Sequence, residues 1–237
     1  IDTLRARGCP KNIIETLANK RSEVITKAKK IEAIKEATKQ DWLKFTAGPL
    51  KKLLDARIKD LKARGYPKDI IETLANKRSE AITKAREIEI NDNHIPLIPV
   101  IPRTKVDIDL LMKMVRRGDT TGHSYISRSL VSNVIDVPKG PYFIFDVEDG
   151  EPKKTEALIK KQKRTCLTVD EGIALCVHTN VLFKHCVDCT GSRYKGEHSD
   201  DVEKVPYICL EGSPYLFSGG TYSPGEELNS PSCHSRC

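Results

Sequence analysis

The residues best equipped for chemistry are cysteines. Eight are present in 237 residues, and all but Cys9 follow residue 160. His185-Cys186-Val187-Asp188-Cys189 has the C-x2-C spacing that lets two thiolates reach one ion from a tight turn. Cys233-His234-Ser235-Arg236-Cys237 could supply the other half of a tetrahedral zinc site. Zinc suits such donors because its filled d shell imposes no geometry and accepts soft sulfur. The second pair has C-x3-C spacing and stands far from the first, so ordinary buried thiols are the competing reading. Disulfides are a third reading, one that a reducing cytosol disfavours.

A nucleophilic arrangement is also conceivable, with Cys233 as thiolate, His178 as base and Arg236 or Arg193 holding an anion. It requires the fold to bring Cys233 to His178, which sits on a mostly apolar helical segment where a histidine is more often a core residue. Asp146, Glu148 and Asp149 offer oxygen ligands for a divalent cation, although an Asp-Gly turn explains them more simply. Gly191-Ser192-Arg193 and Ser218-Gly-Gly-Thr221 lack phosphate-loop spacing and read as turns.

The elements that must position these groups begin with a repeat. Leu61–Glu80 restates Leu4–Glu23 almost residue for residue, the mark of a duplicated structural unit. Each copy reads as a helical hairpin. Gly65-Tyr66-Pro67 ends one helix and starts the next, because Gly accepts a left-handed cap and Pro fits a first turn. Ile70, Ile71 and Leu74, then Ile82, Ala85 and Ile88, fall at helical spacing. Trp42, the single tryptophan, stands among apolar residues as a packing anchor. Pro96, Pro99 and Pro102 then recur among Ile, Leu and Val, which predicts a packed, extended connector. Ile108–Val115 predicts a short helix.

Beyond residue 140 the period changes. Tyr142–Val147 reads as a buried strand. Glu156–Lys163 is helical, and Thr168 with Glu171 forms a capping-box pattern ahead of a helix whose apolar face carries Ile173, Ala174, Val177 and Val181. Val205–Leu210 and Tyr215–Phe217 read as strands. The expectation is an α+β protein: a first helical repeat unit over 1–57, a second over 58–90, a proline-spaced connector over 91–105, and an α+β domain with a small sheet and a cysteine-rich end over 106–237.

The net charge is +7, and its basic excess lies in residues 1–90. Clustered cations favour a polyanionic partner through counterion release, with Lys20, Arg21, Lys77 and Arg78 as equivalent candidate contacts. Interleaved Glu residues equally make a solvated helix face. No apolar run reaches the roughly 20 residues of a membrane span.

Pro141–Gly150, Leu167–Leu175 with His178, Gly191-Ser192-Arg193, Val205-Pro206 and Ser230–Arg236 together resemble an uncharacterised bacterial family known only as a domain of unknown function. The resemblance covers about residues 95–237 and implies a bacterial cytoplasmic protein without an assigned activity. It also implies that the second repeat belongs with the C-terminal half. The leading expectation is a non-enzymatic binding protein whose basic helices engage a protein or nucleic acid. The alternatives are a Cys233/His178 enzyme and a zinc-stabilised structural domain, with zinc the only cofactor the sequence suggests.

Overall fold

The computed structural model describes residues 47–91, 93–149, 155–196, 203–219 and 229–237. The first repeat, with Lys20, Arg21 and Trp42, lies outside the described residues.

The described chain opens on three helices: α1 (Ala47–Ala63), α2 (Lys68–Asn76) and α3 (Arg78–Glu87). Helix α1 runs straight through the expected boundary at 57/58. Its buried leucines Leu50, Leu54 and Leu61 share one helical face, so nothing there breaks the periodicity. Gly65 at φ 87 closes the first turn of chain. Pro67 then caps α2, which buries Ile70, Ile71 and Leu74.

Strand β1 (Ile95–Val100) follows, where the sequence predicted a connector. Its five residues from Pro96 on are buried, and it pairs antiparallel with a later strand from Ile95↔Val147 to Val100↔Tyr142. Proline is tolerated because β1 is a sheet edge, where half of the backbone donors face no neighbour. Helix α4 (Ile108–Lys113) is capped by the Asp107 carboxylate. The short strands β2 (Arg116–Arg117), β3 (Thr120–Thr121), β4 (His123–Ser124) and β5 (Val131–Asn133) lead to β6 (Tyr142–Val147), buried along its whole length.

After α5 (Glu156–Lys161) and β7 (Thr165–Cys166) comes α6 (Val169–His178). The predicted capping box is present: Thr168 N–H donates to Glu171 Oε2 at 2.8 Å, and Glu171 N–H to Thr168 Oγ1 at 3.4 Å. Every α6 residue from Val169 to Val177 is buried, because the helix packs against both β1 and the later sheet. Gly172 permits that approach, since a Cβ there would lie 2.6 Å from Cys189 Sγ. The chain ends with β8 (Val187–Asp188), β9 (Ser192–Tyr194), β10 (Val205–Glu211), β11 (Ser213–Gly219), β12 (Ser232–Cys233) and β13 (Ser235–Arg236).

Two sheets dominate this mixed α+β fold: β1-β6-β13 and β4-β11-β10-β8. One apolar cluster runs from Leu54 and Leu74 in the helices through Leu97 and Phe145 to Leu216. The second helical unit and the sheets therefore share a core. Among the described residues no helix is long and apolar enough to cross a membrane.

Candidate functional site

The structure sets Cys233 and Arg236 side by side, both touching Thr165 Oγ1, but keeps the predicted base His178 away from them. Cys233 lies on β12 with no exposed surface, its sulfur 3.6 Å from Thr165 Oγ1. Burial pushes the thiol up to about 12, so it is protonated at neutral pH and a poor nucleophile. Arg236 is already engaged. Its Nε and Nη2 donate to Glu171 Oε1 and Oε2 at 2.6 and 2.9 Å, and Nη2 also to the Cys166 carbonyl at 3.0 Å. Glu171 stands in the first turn of α6, whereas His178 is its last residue, about 10 Å further along at 1.5 Å per residue. Burial and the nearby Arg57 and Arg64 charges hold His178 well below its ordinary range. Arg193, the other proposed anion holder, donates to the Thr190 and Ser192 carbonyls and pairs with Glu156 at 3.3 Å.

The four predicted zinc thiols are also separated. Cys186 is disulfide-bonded to Cys209. Tyr207 faces Asp188 and Ile208 faces Val187 in the β10–β8 ladder, so one step on places Cys209 opposite Cys186. Their Cα atoms are 4.4 Å apart, the spacing of a non-hydrogen-bonded antiparallel pair. Cys189 points into the core at Gly172, and its thiol is raised well above the ordinary value by burial. Cys237 ends the chain with its N–H on the Phe143 carbonyl. Among the described residues no group of three or more His, Cys, Asp or Glu is placed to hold a metal ion.

The acidic strand end binds protein cations. Asp146, at φ 50 and buried, accepts from Arg164 through both its carboxylate and its carbonyl, and from His94 Nδ1 at 2.8 Å. Burial alone would raise this carboxyl, yet the His94 and Arg164 hydrogen bonds hold it at about 2. Glu148 accepts from Ser232 Oγ at 3.1 Å, and Asp149 from Lys184 Nζ at 2.5 Å. Gly191 packs against the Leu167 backbone, and Ser192–Tyr194 form strand β9 rather than the expected turn. Of the cationic helix candidates, Arg78 donates to Asp55 Oδ1 at 2.7 Å, and Lys77 is the junction residue between α2 and α3.

What the sequence reading missed is a surface. Ladder pairs Tyr207↔Phe217 and Cys209↔Tyr215 put these side chains on one face of β10–β11, while Ile208 and Leu216 point to the core. Tyr215 pairs with His123 on the parallel β4, and Tyr125 follows two residues later on the same side. The five rings form one contiguous set, edge to face at His123–Tyr125 (4.7 Å between centroids), Tyr125–Phe217 (5.9 Å) and Tyr207–Phe217 (6.0 Å), and stacked at His123–Tyr215 (6.3 Å, 28° between planes). Tyr125 is 63% exposed and Phe217 42%. The alternation Tyr207-x-Cys209 and Tyr215-x-Phe217 was the available signal, but it gains meaning only once the register is known.

No curated protein and no solved structure matches this chain. A family model does, over residues 53–217, from inside α1 to Phe217 within the aromatic strand β11. The chain therefore belongs to the family of unknown function DUF5701.

Proposed function

We propose that this protein is a non-enzymatic binding protein that holds a protein partner on the aromatic face of the β4-β11-β10 sheet. The observation that carries this reading is the set of five rings, with Tyr125 and Phe217 exposed, on the side of the sheet opposite its core face. Exposed apolar patches of this kind are where partners dock, and Tyr and Phe are enriched at interface centres because they bury much area for little lost entropy.

The chemistry of the face selects a protein over a nucleic acid. The positions of β10 and β11 that share it are Val205, Tyr207, Cys209, Glu211, Ser213, Tyr215, Phe217 and Gly219. They include one acid and no base, so nothing there compensates a phosphate backbone. Apart from the His123–Tyr215 stack, the rings meet edge to face rather than offering a run of parallel platforms for successive bases. The basic helices are accessory in this reading. Lys77 and Arg78 would supply a separate, salt-sensitive contact away from this face.

The test is selection of a phage-displayed random peptide library on the full chain, counter-selected on Tyr125→Ala/Phe217→Ala. Enriched apolar or aromatic peptides that the double variant releases are expected. Failure to enrich, equal retention by the variant, or binding only to a single-stranded oligonucleotide would overturn the reading.

A further inference from the structure

Tyr215 is the hub of the aromatic face. Its ring centroid lies 6.2 Å from that of Tyr125 and 6.3 Å from those of His123 and Tyr207. Glu211 shares this side of the hairpin, because the alternation that turns Tyr207 and Cys209 outward turns it outward too. It is exposed, and among the described residues no cation pairs with it. Burial, and then the Glu211 charge, raise the Tyr215 hydroxyl above its ordinary value, which sets the carboxylate beside that ring. The other groups acting on Tyr215 are Tyr207 and Tyr125, neither of them a cation.

The outer strands keep the same sign. Asp188 stands opposite Tyr207 on β8, its Oδ2 accepting from the Asn229 N–H at 2.7 Å. On the other side His123 pairs with Tyr215. These positions of the face hold two carboxylates and neither lysine nor arginine.

This combination sets a requirement on whatever covers it. The faces of aromatic rings carry the negative part of the ring quadrupole and attract cations. A carboxylate sealed beneath a partner without a compensating charge is costly, so a purely apolar partner would lose at Glu211 part of what it gains on the rings. A guanidinium meets both demands, because its plane stacks on a ring while its edge donates to a carboxylate. An ammonium offers a point charge and no plane. Given a protein partner on the aromatic face, we propose that this partner presents an arginine, held between the Tyr215 ring and the Glu211 carboxylate, with apolar side chains over Tyr125 and Phe217. The rings supply area, and the Glu211–Tyr215 corner supplies selection.

The experiment starts from the random-library peptides that the full chain retains. Aligned, they should carry one recurrent arginine among apolar or aromatic residues. One such peptide is synthesised with arginine and with citrulline, its uncharged isostere, and its affinity for the parent and for Glu211→Gln is read by fluorescence anisotropy. Citrulline should weaken binding to the parent about fivefold or more, the order expected of a cation–π contact joined to an exposed ion pair. Glu211→Gln should weaken the arginine peptide about threefold and leave the citrulline peptide unchanged. Retained peptides without a recurrent arginine, equal affinity of both peptides for the parent, or an equal response of both to Glu211→Gln would overturn the arginine assignment and leave the aromatic face as the binding surface. A library from which the chain retains no peptide removes both.

Discussion

Phe217 faces Tyr207 across the β10–β11 ladder with ring centroids 6.0 Å apart, and the pair lies on the outer side of a sheet whose inner side is closed by Ile208 and Leu216. The two faces of one hairpin thus have separate tasks. Inward residues hold the fold, and outward rings remain open to a partner.

That separation is measurable as stability. Phe217→Ala removes one member of an edge-to-face pair at a half-exposed position, and such pairs contribute about 0.5–1.5 kcal/mol. Urea denaturation should show a loss of about 1 kcal/mol, whereas Leu216→Ala on the core side should lose about 2–5 kcal/mol. Comparable losses at both positions would place the rings in the core and remove them as a binding surface.

Asp146 predicts an acid-sensitive clasp. Its folded carboxyl is depressed, so its contribution is present above the unfolded value near 3.9 and is lost as pH falls through that value towards about 2. The size is roughly 2 kcal/mol, since each tenfold change in proton affinity between the folded and unfolded chain is worth about 1.4 kcal/mol. Asn tolerates the left-handed backbone that Asp146 adopts, so Asp146→Asn isolates the charge. Stability measured between pH 5 and pH 2 should fall less steeply in the variant; superimposable profiles would refute the assignment.

The α6 approach predicts a coupled pair. Gly172→Ala places a methyl against Cys189 Sγ, and overpacking of this kind costs about 1–3 kcal/mol. Adding Cys189→Ala should restore part of the loss in a double-mutant cycle. Additive effects would show that the sulfur is not the obstacle.

The Cys186–Cys209 bridge closes a separation of 23 residues, which chain-entropy reasoning values at about 3 kcal/mol. Non-reducing peptide mapping should recover this pair. Dithiothreitol and Cys209→Ser should each lower stability by that order, and a free thiol at either position in oxidised protein would contradict the pairing. The ladder register holds both cysteines face to face, so a reducing cytosol would open the bridge without moving the strands.

Local signals were the legible ones. Thr168 and Glu171 announce the start of α6 because a capping box needs only four residues, and Tyr142–Val147 announces a buried strand by composition. Ile95–Val100 was misread because its prolines obey the rule for connectors, and only the knowledge that the strand is a sheet edge reverses it. The zinc reading failed for a related reason: C-x2-C is a local pattern, whereas Cys186 is claimed by Cys209 through strand register. His178 and Cys233 looked like a dyad until α6 placed Arg236 and Glu171 at one end and His178 at the other. The aromatic face was hidden in the same way, since its five rings come from three strands.

The most direct measurement is the affinity of a selected peptide for the parent and for Tyr125→Ala/Phe217→Ala, by fluorescence anisotropy at two salt concentrations. The aromatic-face account predicts at least a tenfold loss in the double variant, since truncating interface anchors costs about 2 kcal/mol or more, with little dependence on salt. Equal affinity for both proteins, or binding that collapses with salt and ignores the rings, would contradict it.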